Sequence, residues 1–187
     1  MIGLNSFQIY GLNLQKSSIY CIFDTQFSAD YYTFSHDKKK ATYFQSSNNN
    51  LYSDYQHYPV ARLIRPFKKK FIVEFKMETN GWFGIGTTKM SNDGFPGYTD
   101  QAFAIQTNGI CLYNKQCIEK SGLDCSNKVA TMICDPENSL LEVCIDEGAL
   151  YGVQRYRYKN FTLSPVDFYF FISVRDESAE IISLSYW

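Results

Sequence analysis

An all-β sandwich is the fold class this sequence predicts, and three observations carry the prediction. Apolar residues recur at every second position in several short segments, the pattern of a strand with one buried face. Turn chemistry separates those segments, as at Thr107-Asn108-Gly109 and Asp135-Pro136-Glu137-Asn138-Ser139. The aromatic share is 17%, with fifteen Tyr and fifteen Phe in 187 residues, and rings favour the pleated surface of a sheet. No segment carries an amphipathic helical stripe longer than a turn or two.

The elements follow in order. In FIVEFKM, Phe71, Val73, Phe75 and Met77 point one way and Ile72, Glu74 and Lys76 the other. Trp82 to Thr87, Phe103 to Gln106, Gly109 to Tyr113, Val129 to Cys134 and Ile181 to Trp187 also read as strands. Trp82 is expected in the core of an inner strand. Leu141, Val143 and Ile145 alternate with Glu142 and Cys144. Phe168 to Val174 is the longest apolar run, as suits a strand buried on both faces. Between them lie Thr79-Asn80-Gly81, Asn92-Asp93-Gly94 and Asp146-Glu147-Gly148, several of which match short hairpin loops. Ser46 to Asn50 is low in complexity and, with Leu51 to Pro59, reads as a long surface loop. No linker or repeat divides the chain, so one domain is expected. No helix is predicted after Gly84-Ile85-Gly86 to hold a phosphate at its N-terminus. These glycines read instead as places where a bent strand passes close to its neighbours.

Bulk properties narrow the function classes. The net charge of −1 recruits neither nucleic acid nor an acidic membrane, and Lys38–Lys40 and Lys68–Lys70 read as solvated lead-ins to strands. No apolar run approaches the ~20 residues of a membrane helix. Residues 1–20 show no basic segment followed by an apolar core, so an intracellular, cytoplasmic chain with reduced thiols is expected. The sequon Asn160-Phe161-Thr162 means little on that expectation. Six cysteines form no Cys-X-X-Cys pair, and His36 and His57 lie far from the cysteine-rich region, so neither a metal nor another cofactor is expected. Cys134 and Cys144 read as buried small hydrophobes. Cys111, Cys117 and Cys125 leave regulatory thiols open as an alternative. With two histidines there is little material for a His-assisted nucleophile. Asp135 and Asp146 bracket a hairpin and read better as turn formers than as a catalytic carboxylate pair.

Five pieces in order resemble the SPRY family. IFDTQFSADYYTFSHDKKKATYF (22–44) is similar to its opening segment, with the Ser35-His36-Asp37-Lys38 hairpin. FIVEFKMETNGWFGIGTTK (71–89) resembles its Trp-Glu-Val-Glu-type strand and the Gly-rich strand that follows. TNGICLYN (107–114), MICDPENSLLEVCIDEG (132–148) and LSPVDFYFFIS (163–173) resemble its later strands and hairpin. The likeness runs from about Ile19 to the C-terminus, leaving residues 1–18 as an extension or docking strand. Departures are Phe71 at the aromatic start, Ser139 where Gly is common, and Glu-Gly in place of Asn-Gly.

The resemblance implies a bent antiparallel sandwich of the concanavalin-like type. It also implies a non-catalytic module that binds a protein or peptide through loops at one end, as an adaptor or scaffold. The expected loops are Ser53–Pro59, Ser91–Asp100, Lys115–Lys128 and Gly152–Phe161. Their Tyr and Arg residues are the candidate anchors, since both offer large contact area with a polar handle. These are Tyr55, His57, Tyr58, Arg62, Tyr98, Asp100, Tyr156 and Arg157. The plain alternative for each is that it merely closes an end of the sandwich. Two further readings stay open: a subunit docking through its sheet faces into a large intracellular or cytoskeletal assembly, and a carbohydrate-binding sandwich.

Overall fold

The computed structural model describes residues 21–28, 31–44, 59–78, 80–87, 90, 102–113, 116–147, 152–159, 167–174 and 177–186. Expectations for residues 1–18, the 46–50 segment, the turn at 92–94 and the sequon lie outside these residues, as do those for Tyr55, His57, Tyr58, Tyr98 and Asp100. The described residues contain thirteen strands and no helix. They are β1 (Tyr32–Phe34), β2 (Lys40–Tyr43), β3 (Ala61–Arg62), β4 (Phe71–Met77), β5 (Gly81–Thr87), β6 (Ala102–Gln106) and β7 (Ile110–Tyr113). β8 (Gln116–Lys120), β9 (Val129–Asp135), β10 (Leu140–Asp146), β11 (Val153–Lys159), β12 (Phe168–Val174) and β13 (Ser178–Tyr186) complete the set.

Two antiparallel sheets face each other. The larger has the order β1-β2-β13-β4-β9-β10-β11, and the smaller β3-β12-β5-β6-β7-β8. Alternation in β4 sends Phe71, Val73, Phe75 and Met77 into the space between the sheets, where each is fully buried. Phe75 meets Phe83 and Phe170 of the smaller sheet at ring-centroid distances of 4.7 and 5.1 Å. Burial of each such ring contributes about 1.5–3 kcal/mol.

β12 lies between β3 and β5, and its second apolar face has its own cluster. Phe171 packs with Val60, Trp82, Met90, Ala104 and Leu112 on the outer side of the smaller sheet. Trp82 is therefore buried in an inner strand as expected, yet it belongs to this second cluster rather than to the layer between the sheets. The glycine motif is explained by close approach: a Cβ on Gly84 would sit 1.9 Å from the Phe103 carbonyl oxygen of β6.

The turns use the expected chemistry. Asp135 accepts hydrogen bonds from the Asn138 backbone N–H (3.2 Å) and side-chain amide (2.9 Å), which fixes the β9–β10 hairpin. Ser139 closes it at φ 49°, a left-handed conformation natural to the glycine that the resemblance expects there. Asp135 and Asp146 lie at opposite ends of the β10 ladder, one beside Leu140 and the other beside Val153. At ~3.4 Å per residue they are about 20 Å apart, so they form no carboxylate pair.

Two loop expectations are corrected. Gln116–Lys120, within the expected 115–128 loop, is strand β8, and Val153–Lys159, within the expected 152–161 loop, is strand β11. Both are edge strands among the described residues. QCIEK half-buries only Ile118 and so lacks the apolar alternation that marks a strand. In VQRYRYK the inward residues are Gln154, Tyr156 and Tyr158, whose polar tips disguise the same alternation.

Candidate interaction surface

The three described candidates divide between the two lateral sides of the sandwich. Arg62 lies on β3, between Ala61 and Leu63, which point into the core. Its guanidinium therefore faces outward, 3.8 Å from the centroid of Phe27 and 4.2 Å from that of Tyr169. One nitrogen reaches Asp24 Oδ2 at 3.3 Å, and only 16% of the side chain is exposed. Two ring faces and a carboxylate hold the cation, each ring contributing ~1–2 kcal/mol at such a partly desolvated site. Backbone bonds continue the seal: Asp24 N–H donates to Arg62 O, Ile64 N–H to Ile22 O and Phe23 N–H to Lys38 O. Arg62 is thus a clamp for residues 22–27.

Tyr156 and Arg157 lie on β11 at the opposite side, and alternation sends them to opposite faces. Tyr156 points inward and donates to Glu119 Oε1 of β8 at 2.6 Å, joining the outermost described strands of the two sheets. Burial first, then the bond to Glu119, pushes its phenol well above the ordinary tyrosine range. Cys111 beside it is pushed up to about 11, chiefly by burial. Tyr158, also inward, stacks on Phe103 at 4.9 Å.

The outer face of β11 is cationic. Arg157 Nε donates to Glu142 Oε2 at 2.6 Å, and Arg155 Nη1 reaches the other carboxylate oxygen at 3.5 Å. Glu142 is 7% exposed, whereas Arg155 and Arg157 are 44% and 55% exposed. One carboxylate thus serves two guanidiniums that keep much of their surface in water, and Lys159 adds a third exposed cation on the same face. Cys144 donates its thiol to Glu142 at 3.4 Å and is pushed up to about 11, by burial first.

The segments carrying the other candidates attach at opposite ends of the sandwich. Residues 45–58 leave at Phe44 and return at Pro59, whose carbonyl shares the Tyr32 hydroxyl with Val174 at the end of β12. The segment with Tyr98 and Asp100 leaves after Thr87, which pairs with Phe168 at the start of β12. A shallow groove of about 600 Å³ runs across β2, β13 and β4. Its charges offset each other, Lys40 pairing with Glu78 at 3.3 Å near Lys76 and Glu177. Cys21, Cys111, Cys125, Cys134 and Cys144 are buried free thiols, and Cys117 on β8 is exposed. No group of three or more metal-ligating side chains occurs among the described residues.

No family model matches the chain, and no curated protein matches it in sequence. Solved structures do match. The TRIM65 PSpry domain aligns over 91% of this chain and 92% of its own, at 11% identity and a TM-score of 0.66. The SPRY domain of human HERC1 aligns over 86% and 97%, at 10% identity and 0.58. The fold is SPRY-like. Stonustoxin also contains it: 86% of this chain aligns at 13% identity and a TM-score of 0.66, spanning 26% of the toxin chain.

On this SPRY-like sandwich, Arg62 and the Tyr156–Arg157 pair are separated by the full width of the sheets. Sequence reasoning placed Tyr156 and Arg157 on a loop, whereas a strand presents them. It missed Glu142, Glu119 and Lys159. Glu142 gave no signal in the sequence, since it alternates with Leu141 and Val143 as a solvent-facing residue would; its burial under Arg155 and Arg157 appears only in the structure.

Proposed function

We propose that this chain is a non-catalytic interaction module that binds a protein or peptide partner, acting as an adaptor or scaffold in the cytoplasm. The observation that carries the reading is the SPRY-like fold, matched over nearly the full length of the TRIM65 and HERC1 domains. The SPRY resemblance implies recognition of proteins, and a rigid sandwich displaying variable connections suits that role. The described surface adds exposed arginines on a rigid strand, a residue type enriched in binding hot spots. Docking through sheet faces finds less support, because among the described residues the exposed large hydrophobics Phe44, Ile64, Val129, Val153 and Ile182 lie on or beside five different strands.

The test is affinity capture of the tagged chain from cytosol, followed by reconstitution of each captured protein with the purified chain. A stoichiometric complex weakened by Tyr98→Ala, or by substitution on β11, is the expected outcome. If no purified protein or peptide binds and the chain instead turns over a small molecule, the reading fails. Arg62→Ala serves as a control for folding, since Arg62 is held within the domain.

A further inference from the structure

We propose that Asn108 is a covalent modification site: its carboxamide closes on the Gly109 nitrogen and reopens in water to aspartate or isoaspartate, at a rate set by opening of the β6–β7 turn. The sequence holds two Asn-Gly pairs, Asn80-Gly81 and Asn108-Gly109. Glycine leaves its main-chain nitrogen unshielded by a side chain, so a preceding asparagine is open to attack at its carboxamide carbon.

Water is the only co-reactant. The Gly109 nitrogen, its proton removed by base, bonds to Asn108 Cγ; the Cγ–Nδ2 bond breaks and ammonia leaves, giving a succinimide ring. Water then adds at either ring carbonyl. Breaking the nitrogen's bond to Cγ yields aspartate. Breaking its bond to the Asn108 main-chain carbonyl carbon yields isoaspartate, whose chain runs through Cβ and Cγ. Both products carry a new carboxylate.

The fold holds this reaction back and ranks the two pairs. Gly109 N–H donates to Gln106 O at 2.8 Å, and Asn108 Oδ1 accepts from Ile110 N–H at 3.3 Å, so the closed turn engages both reacting groups. Asn108 is exposed, however, and Gly109 occupies the left-handed region at φ 93° in a turn between two strands. Parting Gly109 from Gln106 is a local event that leaves both sheets intact. Gly81 is held more deeply, as the first residue of β5, which lies between β12 and β6. Its N–H donates to Thr107 Oγ1 at 3.2 Å and its carbonyl accepts the Thr107 N–H at 2.9 Å. A Cβ there would already sit 2.6 Å from Ser173 O. Asn108 is therefore the faster site.

Isoaspartate would lengthen the chain by a carbon where there is no slack. Gly109 O accepts the Ser121 N–H at 2.7 Å, and Thr107 O accepts the Cys125 N–H at 2.8 Å. A Cβ on Gly109 would lie 2.8 Å from Leu123 O. An added carbon between Thr107 and Gly109 breaks the spacing of those two bonds, so residues 121–125 should loosen.

The test incubates the full chain, with reductant and at mildly alkaline pH, in water labelled with heavy oxygen. Digestion and mass spectrometry then read conversion at each asparagine. Asn108 is expected to convert in the folded chain ~10-fold or more slowly than in guanidinium-denatured chain, and faster than Asn80. Sub-denaturing guanidinium should speed Asn108 conversion and Gly109 amide exchange by the same factor, since both need base to reach one N–H. Asn108→Gln should remove the conversion from that peptide. The separated isoaspartate form should exchange the Ser121 and Cys125 amides faster than unreacted chain. Equal rates in folded and denatured chain, or rates that fail to track Gly109 exchange, overturn the gating. No conversion at Asn108 in the folded chain, or faster conversion at Asn80, overturns the site.

Discussion

Where β1 faces β3, residues 22–24 run between the sheets and bond to Arg62, Ile64 and Lys38, while Phe23 bridges Leu63 and packs on Phe34 with centroids 6.0 Å apart. Where β11 faces β8, the Tyr156–Glu119 hydrogen bond joins two strands that each have a single partner among the described residues, and Tyr158 packs on Phe103 of β6. The first side is closed by main chain and a clamped arginine. The second is closed by side chains. The contrast separates two roles for arginine: Arg62 is consumed in holding the fold, and Arg157 is displayed.

Substitutions on each side break this contrast unequally. Phe23→Ala should cost the most, about 3–5 kcal/mol, because the ring is fully buried and the cavity sits under the sealing segment. Denaturant unfolding measures it. Tyr32→Phe should cost ~1–3 kcal/mol. Its hydroxyl accepts from the Val174 N–H at 3.1 Å and donates toward Pro59 O at 2.8 Å, and its loss strands buried backbone groups. On the other side, Tyr156→Phe should cost only ~0.5–1.5 kcal/mol, since Glu119 is exposed and water replaces the lost donor.

The smallest effect is a pH dependence at the β9–β10 hairpin. Burial alone would raise the Asp135 carboxyl, but the Asn138 bonds and Lys70 outweigh it and hold the group below the ordinary 3.8. A depressed folded value stabilises the fold above pH 3.8 and loses that contribution as pH falls through the folded value. Asp135→Asn should therefore flatten the acid limb of the stability curve, as thermal melts between about pH 2 and 5 would show.

The scaffold was legible where burial was one-sided or complete. FIVEFKM alternates cleanly and is β4, and FYFFISV, apolar but for Ser173, is the doubly covered β12. The Asp135-to-Ser139 turn was legible from its Asx and Pro chemistry. The edges were not, because an edge strand owes its pairing to a single neighbour and need bury little: QCIEK is polar on both faces, and VQRYRYK hides its inward face behind tyrosines. The site suffered for the same reason. Tyr156 and Arg157 were found by residue type, but their separation from Arg62 follows from strand order, which is set by long-range pairing such as β13 with β4. Glu142 looked like ordinary alternation, although its burial depends on two arginines from the next strand.

Native-state hydrogen exchange of the partner-free chain tests the contrast most directly. Leu63 and Ile64 donate to opposite neighbours, Phe170 O and Ile22 O, so consecutive amides there should both be protected. On the other side, the Tyr156 and Tyr158 amides, bonded to β10, should be protected less than Leu63 and Ile64, because side chains rather than main chain close that side. Protection at Tyr156 and Tyr158 equal to or above that at Leu63 and Ile64 would contradict the account.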